Sequence, residues 1–149
     1  MAYEDLYLDV NSSILKLCKD FITDNALVGF QVFDFDAHAS LNDLPNNHLV
    51  GVAEYSLMEN SDSYEGECML IICTKQDDAN LKILKPVVSK LFSRVKAGKE
   101  IPLVQSTNAL VLGNLKLKPG SEAMPVSRTE SRPLIAINIS FGLALISPP

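Results

Sequence analysis

The residues best able to do chemistry sit together in Asp34-Phe35-Asp36-Ala37-His38. In an extended segment alternate residues share a face, so two carboxylates and an imidazole would project side by side. Such a set suits a hard cation or zinc. The competing reading is a strand end entering a solvated turn, where Asp is common. The chain has no second His or Cys cluster to complete a coordination sphere, which favours the turn. His38 and His48 are its only histidines, and neither has a Gly-x-Ser-x-Gly or cysteine partner motif. The seven glycines are scattered and form no phosphate-cradling loop. Glu65 with Glu67, and Asp77 with Asp78, lie beside a predicted turn or helix start, where solvation or capping is expected. Cys18, Cys68 and Cys73 lack ligand-like spacing. Cys68 and Cys73 fall on opposite faces of one predicted strand, so buried reduced thiols are expected. No catalysis, metal or cofactor is expected from these groups.

A second set of charges is better placed for binding. Lys116, Lys118, Arg128, Glu130 and Arg132 surround a stretch containing Pro119, Gly120, Met124 and Pro125. Arg and Met are enriched in interface cores, so the stretch reads as a docking arm. A hairpin tip kept soluble by its charges reads equally well. Residues 119–133 show no periodic pattern, and loops of that length in a compact domain are usually functional or mobile.

The elements that hold these groups follow from hydrophobic periodicity. Leu6, Val10, Ile14, Leu17, Cys18, Phe21 and Ile22 predict an amphipathic helix over 6–25. Its other face would carry Asp9, Ser13, Lys16, Lys19 and Asp20. Strands are predicted over 28–35, 49–58, 67–74 and 109–118, the second and third forming a hairpin. Residues 68–73 are apolar on both faces, as in a central strand covered on both sides. Leu81, Leu84, Val88, Leu91, Phe92 and Val95 predict a second helix, with Pro86 imposing a kink or a late start.

The last strand, over 134–146, is the clearest. Ile135, Ile137, Ile139, Phe141, Leu143 and Leu145 alternate with Ala136, Asn138, Ser140, Gly142 and Ala144. One face is core; the other is narrow and mildly polar. That face either packs beneath a helix, the favoured reading, or serves as a subunit contact or lumen wall.

The whole predicts one α+β domain over 1–149, a mostly antiparallel sheet with two main helices packed on it. At 47% hydrophobic and 21% charged, the chain can build an ordinary core. A net charge of −5 argues against grip on nucleic-acid phosphates. Met1 is followed by Ala-Tyr-Glu-Asp, so no export leader is expected. No apolar run reaches the roughly 18 residues of a membrane helix.

Several of these features recur together elsewhere. They are the opening helix, the strands Leu49-Val-Gly-Val-Ala-Glu-Tyr-Ser-Leu57 and Cys68-Met-Leu-Ile-Ile-Cys73, the second helix over 81–96, and Arg132-Pro133 leading into the final strand. In this order and length, over nearly the whole chain, the sequence resembles the tail terminator or tail completion proteins of tailed bacteriophages. The resemblance implies a ring, typically of six subunits, that binds the last ring of a finished tail tube. Such a ring stops tube growth and offers a docking surface to neck or connector proteins, with sheath protein a further neighbour. DNA passes through the lumen without specific binding. The implied location is the virion tail or neck, after synthesis in the host cytoplasm. The implied function uses no cofactor, and no membrane partner is expected. The expected interface comprises Lys116, Lys118, Arg128, Glu130, Arg132, Asn138 and Ser140, with Arg128 and Arg132 near a subunit or tube contact. A different neck or head–tail connector ring stays open. So does a small metal-dependent enzyme or ligand-binding domain using Asp34, Asp36 and His38.

Overall fold

Helix α1 (Leu6–Asp24) forms where Leu6, Val10, Ile14, Cys18 and Phe21 recur at three- and four-residue steps, and all five are buried. The computed structural model describes residues 4–37, 44–61, 63–129 and 131–146. Strand β1 (Phe30–Asp34) ends in a 3-10 turn (Phe35–Ala37) and is followed by β2 (His48–Glu59) and β3 (Tyr64–Cys73). Helix α2 (Leu84–Arg94) comes next, then β4 (Glu100–Val104), β5 (Val111–Leu117), β6 (Glu122–Ala123), β7 (Ser127–Thr129) and β8 (Arg132–Leu145). The sheet order is β1-β2-β3-β8-β5-β4, with β6 and β7 paired to β8 beyond the end of β5. β1 and β2 are parallel, and the other pairs are antiparallel. The fold is α+β, as the sequence predicts.

One contact pattern fixes the shape. Helix α1 touches β1 and β2 at one edge of the sheet and β4 at the other. The sheet therefore curls around α1, while α2 rests on the middle strands β3 and β8. Both helices share one core with Val50, Val52, Leu70, Ile72, Leu103 and Leu115 from the strands. Each fully buried side chain of this size is worth about 1.5–3 kcal/mol relative to exposure. Cys18 lies in this core, and burial pushes its thiol up to about 12. Cys68 lies there too, whereas Cys73 lies in a second apolar cluster with Phe33 and Phe35. β3 is thus covered on both sides, and its cysteines are on opposite faces.

Helix α2 starts late. Leu84 is its first residue, so Pro86 falls in the first turn, where no intrahelical N–H is required. Asp78 organises that start: its carboxylate accepts the N–H of Ile83, the N–H of Leu84 and the Thr74 hydroxyl, each at 2.9 Å. Burial opposes ionisation of Asp78, yet these three donors hold its carboxyl below the usual range.

Several expectations need correction. Strand β4 has no counterpart in the sequence reading, and it changes the role of α1. Asp9 and Ser13 are buried against the end of this strand and do not join a solvated face. Ser13 Oγ accepts the Val104 N–H at 3.0 Å, and Asp9 Oδ1 accepts the Ser106 N–H at 2.9 Å. Phe92, expected in the core, is 37% exposed. Within the stretch 119–133, two short strands, Glu122–Ala123 and Ser127–Thr129, pair with β8.

Bulges interrupt the side-chain alternation of β2 and β5. In β2 the register slips between Ala53 and Ser56, with Glu54 at φ 52°. Val50, Val52, Tyr55 and Leu57 consequently all reach the helix-side core. In β5 the slip falls beside Gly113, at φ 149°. A Cβ there would stand 2.0 Å from the Ala144 carbonyl oxygen, so only glycine fits.

Candidate interaction surface

Strand β8 divides the molecule into an inner and an outer side. Ile135, Ile137, Ile139 and Phe141 point into the helix-side core. On the outer side Ala136 packs in the second apolar cluster with Phe33, Phe35, Leu49 and Ile71. Farther along, Asn138, Ser140 and Gly142 are half-buried and Ala144 is exposed. The favoured expectation, that a helix covers this narrow face, is therefore corrected. Among the described residues both helices are committed to the inner core, Phe33 and Phe35 reach the Ala136 end, and Met124 reaches Asn138.

Pairing brings acidic residues to the uncovered end. Glu67 lies opposite Ser140 and Glu65 opposite Gly142, and directly opposed residues share a face. A trough of about 520 Å³ opens here, lined by Glu54, Ser56, Glu67, Met69 and Asn138. Beside it Lys118 meets Glu65 at 2.7 Å, and that hydrogen bond and charge hold the Glu65 carboxyl below its ordinary range. Lys116 lies 3.8 Å from Glu100. Asn138 Nδ2 donates to Met124 Sδ at 3.3 Å. The surface is thus polar, weakly cross-linked and shallow, which suits a macromolecular contact better than an enclosed small molecule.

The arm is held to β8 by backbone bonds. The Lys118 N–H donates to the Ser140 carbonyl at 2.9 Å, and the Met124 N–H to that of Ala136 at 2.8 Å. Arg128 is exposed on β7, and Glu130 lies outside the described residues. Arg132, grouped with the arm charges in the sequence, is 5% exposed. Its Nε donates to the Thr74 carbonyl at 3.2 Å and its Nη1 to that of Pro45 at 2.7 Å, while Nη2 donates to that of Asn47. Arg132 ties the connection before β2 to β3 and β8, so of these two arginines Arg128 is the one turned to solvent.

The chemical cluster is also accounted for in part. Asp36 accepts the N–H of Glu54 at 2.7 Å and of Tyr55 at 3.1 Å, clamping the β2 bulge. Asp34 accepts the Asp36 N–H at 3.1 Å in a local turn. His38 lies outside the described residues. His48 Nδ1 accepts the Lys75 N–H at 3.1 Å, and its ring packs against Phe30. Burial and the Lys75 charge lower its pKa.

No protein-family model and no curated protein matches this chain. Among the described residues no three His, Cys, Asp or Glu side chains are grouped to hold a metal ion. None of the described helices is long and apolar enough to cross a membrane. Sequence reasoning missed the acidic rim because Glu65 and Glu67 border a turn. The signal was their two-residue spacing, which places both on one face of β3.

Proposed function

We propose that the chain is a structural virion subunit that forms a ring on the completed tail tube of a tailed bacteriophage. The ring ends tube polymerisation and presents the docking surface for the neck and head. The observation that carries this reading is the outer side of β8, which no described helix covers. Its Ser, Gly and Ala residues let a neighbouring chain approach closely, and the surrounding carboxylates and lysines give the contact direction. A heterologous contact repeated by rotation closes into a ring. The partners on this reading are five further copies, the tube protein, neck or connector protein and, in a contractile tail, sheath protein. The net charge of −5 supports a lumen through which DNA slides without being gripped.

The test is a solution mass measurement followed by electron microscopy of the protein mixed with tail tubes. A ring seated on one tube end, with tube growth arrested, is the expected outcome. A compact monomer that ignores tubes contradicts the proposal. A ring that binds connectors but not tubes reassigns the chain to the neck.

A further inference from the structure

Charge in this chain is sorted by element. Residues 79–99 contain Lys82, Lys85, Lys90, Arg94, Lys96 and Lys99 and no acid. Residues 53–67 contain Glu54, Glu59, Asp62, Glu65 and Glu67 and no base. The first group lies on and around α2, and Glu54, Glu59, Glu65 and Glu67 of the second lie on β2 and β3. In an acidic protein such separation leaves one cationic surface against a negative background.

The two groups look outward from opposite sides. On α2, Lys85, Ser89 and Phe92 follow one another at helical spacing, Lys90 is exposed on the same solvent side, and Lys96 is exposed just past the helix end. Of the six bases, only Arg94 forms an ion pair among the described residues, with Asp24 at 2.8 Å. Glu54 and Glu67 line the trough on the far side of the sheet from both helices. Glu54 and Glu67 are exposed there and have no ion pair among the described residues. Each patch has an apolar centre: Phe92, 37% exposed, in the basic one, and Met58, 59% exposed, beside the acidic one. Apolar centres rimmed by complementary charge are the anatomy of a protein interface.

We infer that the exposed basic side of α2 in one copy docks on the acidic outer side of the β2–β3 hairpin in the next. The occupant is a second copy of this chain, because the complementary surface is present on the same molecule. The contact joins one side of a subunit to the opposite side of its neighbour, so it is heterologous and can close by rotation. It gives the ring proposed above its inter-subunit interface, and it rests on that reading for the closure of the contact into a ring.

Two charge-reversed proteins test it, read by sedimentation velocity in low salt. Lys85→Glu with Lys90→Glu makes both surfaces acidic, and Glu54→Lys with Glu67→Lys makes both basic. All four side chains are exposed, so folding should survive, as circular dichroism would check. Each variant alone should associate roughly tenfold or more weakly than the wild type, and an equimolar mixture should regain assembly. Wild-type association should weaken as salt rises. Assembly that persists in both variants overturns this interface while leaving a ring intact. A wild type that stays monomeric at high concentration also overturns it, and tube capping then judges the ring separately. If the lysine variant loses binding to duplex DNA while its oligomer mass is unchanged, the basic side reads nucleic acid and the inference fails.

Discussion

The inner and outer rows of β8 come from the same fourteen residues, yet they serve different ends. The inner row fills volume: Ile137 and Phe141 are fully buried among side chains from both helices and most strands. The outer row leaves volume empty, passing from Ala136 under Phe33 and Phe35 to half-buried Ser140 and exposed Ala144. Alternation in one strand therefore encodes a core and a surface at once, and the two should respond oppositely to mutation.

The largest contrast is expected between neighbours. Phe141→Ala should cost about 3–5 kcal/mol in denaturant unfolding, because a fully buried ring leaves a cavity. Ser140→Ala should stay within about 0.5 kcal/mol, and an equal cost would erase the distinction between rows. Next comes Arg132→Met, which removes the donor to three carbonyls. A loss of about 2–3 kcal/mol is expected, with faster amide exchange at His48 and Lys75. Asp78→Ala should cost about 1–2 kcal/mol through the start of α2, seen in the same unfolding curves.

A smaller effect concerns pH. His48 resists protonation in the folded state, whereas the unfolded chain takes up that proton near 6.5. Its contribution is therefore intact above about pH 6.5 and declines as pH falls through the lower folded-state value. His48→Gln should flatten that acid limb of the stability profile. The smallest effect should come from Lys118→Ala, which should leave the unfolding curve unchanged, since the Lys118–Glu65 pair is solvent-exposed.

The same comparison explains what the sequence could reveal. The inner rows of β8 and α1 were legible because a repeated spacing placed each apolar residue on one side. β4 was not, because Glu100-Ile-Pro-Leu-Val104 is short and carries Pro102. Strands β6 and β7 are held by backbone bonds to β8, which leave no side-chain pattern. The bulges at Glu54 and Gly113 shift the period inside single strands, so counting alone misassigns faces. Arg132 looked like a surface charge because its carbonyl partners are 58 to 87 residues away. The narrow outer row was legible, whereas its acidic rim required the register of β3 against β8.

The most direct test of the account is Ser140→Trp, measured twice on the same preparation. A bulky group on the uncovered outer row should leave the unfolding free energy within about 0.5 kcal/mol of wild type. It should abolish ring formation and tube capping under the electron microscope. Normal rings on normal tube ends, or assembly lost only because the chain unfolds, would contradict the claim that this face is the assembly surface.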